Sequence, residues 1–266
     1  MIMPSRTTIE TAITGTTFSI GPAKPGSGIT INGIPLAVDR IIHHDHRIDI
    51  RGKNKDNVAF IIEHPVAVAT IFGIHDATIT GTRQEWDFYR AADREAFARE
   101  LPPSSVLGLA DGSIASDIAD ATPSIIAVDD AFLDIYHVKE KTGFQVDEFN
   151  KITIQPPDSI DAGLEISVQL FNLEPMHAVL EPGGGLLDDH DSLDIRTAVL
   201  RARSSAVIGL NEESILHALG VVVSDIAGTG NIRSGKVDAT LGLAYHRTTI
   251  GLIKHMIASG LIEKSK

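Results

Sequence analysis

The spacing of apolar and polar residues divides the chain into strand-like and helix-like segments. In the first half, short β-branched runs between glycine, proline and lysine turns predict strands at Thr7–Ile13, Gly28–Ile31 and Ile48–Ile50. Residues 62–73 are apolar on nearly every face and end at a glycine, which predicts a buried helix. A strand is predicted next at 74–79, and a helix carrying aromatic residues among charges at 84–100.

The second half has a similar order of elements. Strands are predicted at 152–154 and at Leu164–Phe171, where apolar and polar residues alternate. The following helices are predicted at Asn211–Ile226, which begins with an Asn cap and two glutamates, and at Arg247–Leu261. Each half therefore resembles a sheet accompanied by two helices.

A segment without clear periodicity separates the two halves. Residues 104–123 are rich in Ser, Ala, Asp and Gly, so we predict a linker there. The N-terminal domain would span residues 1–103 and the C-terminal domain residues 124–266. The predicted fold class is α+β, with two similar domains that each pack a mainly antiparallel sheet against two helices.

Composition and charge narrow the class of protein. The 266 residues carry a formal net charge of −12 without a Lys/Arg-rich stripe, which argues against nucleic acid as a partner. No apolar run approaches the roughly 18 residues of a membrane span, and the first residues lack the apolar part of an export signal. We therefore expect a cytoplasmic protein without stable membrane insertion.

The residues able to bind a metal are limited by composition. The chain has no cysteine, so His, Asp and Glu would have to supply the ligands. Three positions deserve inspection: Glu63-His64 at the start of the buried helix, His217 in a later helix, and His246 before the last helix. By themselves, isolated histidines such as these are more commonly explained as helix-terminal or core residues.

Five sequence blocks between about residue 13 and residue 254 favour a functional interpretation of these histidines, because the blocks follow the order found in one enzyme family. They are residues 15–29, residues 62–76 (IEHPVAVATIFGIHD), residues 201–205 (RARSS), residues 214–225 and residues 245–247 (YHR). On these blocks the chain resembles the zinc-dependent UDP-3-O-acyl-N-acetylglucosamine deacetylases (LpxC). The second block, similar to the family's TVEHLLSALAGLGIDN, is the most specific.

The resemblance implies a fold, a metal and a set of roles. It implies an LpxC-like pair of domains and a zinc ion, with His64 and His217 as two of its ligands. It implies that Glu63 is the general base, that His246 faces the developing oxyanion, and that Asp225 orients His246. These roles agree with the chemistry of zinc hydrolases, in which a carboxylate moves a proton from water to the leaving amine.

Several positions differ from the family's pattern. Val221 stands where the family has its third metal ligand, one turn after His217, and Ser204 replaces a Thr that hydrogen-bonds the intermediate. Asp225 lies about 12 Å along a helix from His217, so both could bind one ion only if the helix breaks. The candidates for the missing ligand that stay open are Asp225 in a shifted alignment and, from the segment His43–His46, either His46 or His44, which would share one face of a strand.

A second difference concerns the acyl chain of the substrate. Only residues 206–210 separate the RARSS block from the next helix, too few for the β-α-β insert that forms the family's acyl passage. The resemblance as a whole implies a zinc-dependent amide hydrolase acting on an N-acyl amino sugar or nucleotide sugar, in or near lipid A biosynthesis, and the missing insert implies that a long acyl chain is not required. The alternative is an inactive protein of the same fold that binds a sugar nucleotide or a protein partner.

Overall fold

Two large sheets and one small sheet organise the described part of the chain. The structure is a computed structural model. It describes residues 7–10, 17–24, 26–45, 47–54, 58–59, 62–71, 73–81, 136–159, 162–182, 185–187, 195, 198 and 209–264.

The first sheet and the small sheet come from the N-terminal half. The first sheet contains β1 (Thr7–Glu10), β2 (Thr17–Pro22), β3 (Ile29–Ile31), β4 (Ile34–Pro35) and β8 (Ala77–Gly81). Its order is β1-β2-β8-β3-β4, and its neighbours are antiparallel except for the parallel pair of β3 and β8. The small sheet contains the antiparallel strands β5 (Ile41–His43), β6 (Ile48–Arg51) and β7 (Val58–Ala59).

The turn between β3 and β4 shows how local sequence sets one of these pairings. Asn32 and Gly33 both have positive φ, 49° and 77°. Asn and Gly tolerate this region, and a two-residue turn of this kind matches the twist of an antiparallel pair. The pair Asn-Gly thus places Ile31 opposite Ile34, with both side chains buried.

The second large sheet comes from the C-terminal half. Its strands are β9 (Tyr136–Val138), β10 (Thr142–Asp147), β11 (Asn150–Gln155), β12 (Leu164–Leu170), β13 (Met176–Leu180), β14 (Ile232–Leu241) and β15 (Ile262–Lys264). The order is β10-β11-β14-β12-β13, and β9 pairs with both β14 and β15. The pairs β12–β14 and β14–β9 are parallel and the others antiparallel. On β12 every second residue is buried, as the alternation predicts.

Four helical segments with described bounds pack against the sheets and one another. They are α1 (Glu63–Ile71), α2 (Glu212–Val223), a π-helix (Ser224–Thr229) that continues α2, and α3 (Tyr245–Ser259); a 3-10 turn spans Val38–Arg40. All nine residues of α1 are buried. The helix packs against the π-helix so closely that a Cβ on Gly228 would lie 2.7 Å from Val66 Cγ1 and also overlap Thr70.

The ends of the helices follow their sequence signals. Asn211 caps α2: its side chain accepts from the amide of Ser214 at 3.0 Å, and Ser214 Oγ accepts from the amide of Asn211 at 3.0 Å. Gly260 ends α3 with a left-handed φ of 66°, and Gly73, with φ of 67°, follows α1.

The structure is mixed α/β and compatible with the predicted α+β class. Several details differ from the predictions, and β14, at the centre of the second large sheet, was not predicted. The helix predicted at 211–226 changes from α to π at Ser224, and α3 begins at Tyr245, so His246 lies inside its first turn. The predicted linker and the predicted helix at 84–100 lie outside the described residues. Within those residues, the helices are all too short or too polar to cross a membrane.

Candidate active site

The proposed catalytic and metal-binding residues that the structure describes are brought together where the helices meet. Glu63 and His64 begin α1, His217 lies within α2, Asp225 lies in the π-helix, and His246 lies in the first turn of α3. All five are buried, with exposed fractions from 0 to 9%. We call this group the histidine cluster. The hydroxyl of Ser224 donates to the backbone carbonyl of Glu63 at 3.2 Å, which fixes the π-helix against the start of α1.

The rings of His64 and His217 are close neighbours. Their centroids are 5.5 Å apart and their planes are inclined by 45°. Two imidazoles that bind one tetrahedral zinc through bonds of about 2.1 Å would have ring centres about 5 Å apart. Among the described residues, Nδ1 of His64 and both ring nitrogens of His217 are buried without a hydrogen-bond partner. The spacing and the unpartnered nitrogens are both compatible with a shared metal ion.

Burial keeps these two imidazoles neutral. It lowers the pKa of His64 well below its usual value, with further lowering from the nearby His217 and His246. Burial and the charge of His246 lower the pKa of His217 to about 3. A histidine binds metal in its neutral form. Protons would therefore compete little with a cation at this pair near neutral pH.

Glu63 is a buried carboxylic acid whose pKa lies near neutral pH. Its Oε2 accepts a hydrogen bond of 3.0 Å from the amide of Ile48, and its Oε1 is 3.9 Å from His64 Nε2. The contact with His64 is not an ion pair, because His64 is neutral. Burial raises the pKa of Glu63 to about 7, although the charge of His246 acts in the opposite direction. A group with such a pKa can both accept and donate a proton at neutral pH.

His246 and Asp225 form a hydrogen-bonded pair. His246 Nδ1 is 2.9 Å from Asp225 Oδ2, and the hydroxyl of Thr249 donates to the same oxygen. Burial by itself lowers the pKa of His246, but the charge and hydrogen bond of Asp225, together with Glu63, raise it overall. The proton on Nδ1 faces Asp225, and Nε2 is buried with no partner among the described residues. A protonated His246 would therefore present an N–H on Nε2.

The described residues contain no group of three His, Asp or Glu arranged to hold a metal, so no third ligand candidate stands beside His64 and His217 among them. Val221 is a buried apolar residue, and Asp225 is directed to His246 instead.

The segment that precedes β6 was the other possible source of this ligand. His44 is 3.2 Å from Asp49, and His43 Nδ1 is 3.3 Å from Lys254 Nζ, so both rings have partners of their own. His46 lies outside the described residues, as does Ser204, and both assignments stay predictions.

Two contributors to the site were not anticipated from the sequence. Thr249, three residues after His246 on the same face of α3, holds the orienting carboxylate; its spacing in a predicted helix is a signal that could have suggested it. The amide of Ile48, from β6, holds Glu63 across 15 positions of sequence. That contact follows no sequence pattern.

Neither protein-family models nor curated protein sequences gave a match to this chain. The function of the histidine cluster is therefore inferred from its own geometry and from the sequence blocks.

Proposed function

We propose that the protein is a zinc-dependent amide hydrolase that deacetylates an N-acyl amino sugar or a nucleotide sugar. The observation that carries the proposal is the pair of neutral, buried imidazoles of His64 and His217, 5.5 Å apart, beside an acid whose pKa is raised to about 7. The Asp225–His246 pair adds an imidazole whose protonated form is stabilised and oriented by a carboxylate. A metal ligand pair, a general base and a cationic donor are the parts that metal-assisted amide hydrolysis uses.

Two residues of this site are suited to bind zinc. His64 and His217 would hold the ion, and a third protein ligand is lacking among the described residues. When bound, zinc would supply Lewis acidity that polarises the amide carbonyl and lowers the pKa of water. A site with two protein ligands should bind zinc more weakly than a complete site with three.

The protein's own groups would perform the proton transfers. Glu63 removes a proton from water as the water oxygen forms a bond to the carbonyl carbon. The N–H on Nε2 of His246 faces the carbonyl oxygen as negative charge develops there. Glu63 then gives the proton to the amide nitrogen as the C–N bond breaks, which leaves a free amine and a carboxylic acid that loses its own proton to solvent.

The finer parts of the proposal come from the sequence resemblance. They include the two-domain LpxC-like arrangement, a cytoplasmic location and a reaction in or near lipid A biosynthesis. Because residues 206–210 are too few for an acyl passage, the substrate would carry a short acyl group or a plain N-acetyl group. Without an enclosing passage, each further CH₂ stays in water and contributes little of its potential ~0.8 kcal/mol.

The second candidate function is a catalytically inactive LpxC-fold protein that binds a sugar nucleotide or a protein partner. Val221, 1% exposed at the place of the third ligand, favours this alternative. It predicts that the purified protein contains no zinc even though the histidine cluster is intact.

Metal analysis separates the two functions. Protein purified without chelators or a metal-affinity tag should contain close to one zinc per chain, and His217→Ala should lose most of it. The matched control is His255→Ala, on the exposed side of α3, which should keep the metal. Zinc-free wild-type protein that also fails to bind added zinc would refute the hydrolase proposal.

Activity then tests the role of Glu63. Glu63→Gln should retain zinc and lose about 10²–10⁴-fold in kcat/KM toward N-acetylglucosamine derivatives, the range typical of removing a general base. Comparing substrates with no acyl chain, a short chain and a chain of about 14 carbons checks the missing passage. A steep rise of kcat/KM with chain length would contradict that part of the proposal.

A further inference from the structure

A small cavity lies beyond the opposite end of α1 from the histidine cluster. Its volume is about 50 Å³, and residues from both halves of the chain line it. Its polar lining residues are Thr70 and His75 from the N-terminal half and Thr229, Asn231 and Arg233 from the C-terminal half. Isoleucine, leucine and glycine residues complete the wall. Among the described residues, no carboxylate lines this cavity.

Arg233 provides a buried positive charge. It is 9% exposed; its Nε donates to Asn231 Oδ1 at 3.1 Å, and its Nη2 donates to His75 Nδ1 at 2.8 Å. Its Nη1 is buried with no hydrogen-bond partner, and no carboxylate of the described residues forms an ion pair with it. Two of the three guanidinium nitrogens are thus held in place by neutral groups, and the third remains a donor.

The charge of Arg233 persists at neutral pH. Burial lowers the pKa of Arg233 to about 10, which still leaves it protonated under physiological conditions. A buried cation that lacks a counter-charge is strongly unfavourable, and neutral hydrogen-bond acceptors offset this cost only in part. An anion in the cavity would supply the missing charge.

Thr229 provides a second donor at the same cavity. It is the last residue of the π-helix and 4% exposed, and its hydroxyl has no partner among the described residues. The hydroxyl of Thr70 differs, because it already donates to the carbonyl of Val66 at 2.8 Å. Carbonyls at the end of α1 are also in use: those of Thr70 and Ile71 accept from the amides of Gly73 and Leu186.

We propose that this cavity is a binding site for a small oxyanion, a carboxylate or a phosphate, held by Arg233 Nη1 and Thr229 Oγ1. Both unpartnered groups can donate, an oxyanion has several acceptor oxygens, and arginine is well suited to carboxylate and phosphate geometry. Water could satisfy the same donors, but it would not balance the charge. Because the lining comes from residues 29–75 and 228–233, the bound anion would also join the two halves.

The experiment uses the full-length protein without metal, in EDTA at pH 7.5 and constant ionic strength. Sodium acetate, inorganic phosphate and sodium chloride are titrated separately, by calorimetry and by the shift in thermal midpoint. We expect saturable binding of acetate or phosphate at least tenfold tighter than that of chloride. The stronger of the two identifies the carboxylate or the phosphate as the natural chemistry.

Variants assign that binding to the cavity. Thr229→Val should weaken the preferred oxyanion about tenfold, and Arg233→Gln at least a hundredfold. The matched control is Thr70→Val, which alters the same wall at a hydroxyl already in use and should change affinity less than twofold. Arg51→Gln, at an exposed arginine of β6, controls for surface charge.

Two results would overturn the proposal. The first is the absence of saturable acetate or phosphate binding beyond that of chloride, as expected for a cavity that holds water. The second is equal affinity in wild type and Thr229→Val. Thr229→Val preserves shape and burial, so the test holds even if Arg233→Gln does not fold.

Discussion

Polar and ionisable side chains are buried at both ends of the packed pair formed by α1 and the π-helix, but the residue types at the two ends differ. At one end, Glu63 and Asp225 meet three histidines; at the other, Thr70 and Thr229 flank Arg233. Both ends bury ionisable groups and polar atoms without partners among the described residues. The two ends differ in whether their buried ionisable side chains can become neutral near pH 7.

Histidine and glutamate adjust their protonation when they are buried, whereas arginine does not. The pKa values of His64 and His217 are lowered by burial, that of Glu63 is raised to about 7, and that of His246 is raised because Asp225 stabilises its protonated form. Arg233 remains charged. The first end is therefore suited to a cation and to proton transfer, and the second to an anion.

The largest expected effect comes from removing the negative charge in the histidine cluster. Asp225→Asn keeps the size of the side chain but leaves His246 without its counter-charge. We expect a loss of about 3–5 kcal/mol in the free energy of unfolding, as for other buried pairs that lose one partner. The pKa of His246 should fall below its ordinary value, because burial then dominates.

Urea unfolding at pH 7 and an NMR titration of His246 measure these two effects. The control is Asp238→Asn, at an exposed position of β14, where we expect a change within about 0.5 kcal/mol. Equal effects of the two substitutions would show that Asp225 carries no special electrostatic role.

The next effect is the acid sensitivity of the histidine cluster. The folded-state pKa values of His64 and His217 are lowered, so their stability contribution is complete above about pH 6.5, the unfolded value, and declines as the pH falls toward 3. Glu63 acts in the opposite sense, since its raised pKa adds stability that is lost as pH rises through about 7. Comparing variants isolates the histidine contribution.

Wild-type His217 takes up a proton when the protein unfolds, and this uptake makes the free energy of unfolding depend on pH. His217→Gln should abolish that contribution to the slope. In metal-free protein between pH 6.5 and 4.5, the variant should lose about 2.3 kcal/mol less than wild type, because one pH unit of full linkage is worth about 1.36 kcal/mol and unfolded His217 is already half protonated at pH 6.5. His255→Gln, at an exposed site, should keep the wild-type slope. An unchanged slope in His217→Gln would mean that His217 is not buried in its neutral form.

The smallest expected effect tests the packing contact between α1 and the π-helix. Gly228→Ala would force a methyl group against Val66 and Thr70, and overpacking of this kind costs about 1–3 kcal/mol. Adding Thr70→Ala should recover part of the loss, since it removes one of the two clashing side chains. Denaturant unfolding of both variants checks this, and additive effects in the double variant would contradict the close packing.

Sequence periodicity predicted some of the elements but not the site they form. Local patterns of a few residues can be recognised in the sequence alone. Examples are the apolar run that becomes α1, the Asn cap of α2 and the alternation on β12. The positions of Glu63, His64, His217 and His246 were singled out through the resemblance to LpxC deacetylases. Their meeting at one place needed the packing of three helices.

The sequence also left the role of Asp225 open between a metal ligand and a partner of His246. The change from α to π geometry at Ser224 and the position of α3 direct its Oδ2 to His246 and Thr249. A local pattern does not report this, because His246 lies 21 positions further along the chain.

By itself, the sequence determined the positions of α1, α2, α3 and some of the strands, such as β3, β6 and β12, and that His and carboxylate would have to form any metal site. Those properties depend on side-chain spacing and local backbone preferences. Only the tertiary structure decided which buried groups are charged, because a pKa depends on burial and on neighbours distant in sequence. The contact between Arg233 and His75, 158 positions apart, is such a case: nothing local to either residue predicts a buried cation there.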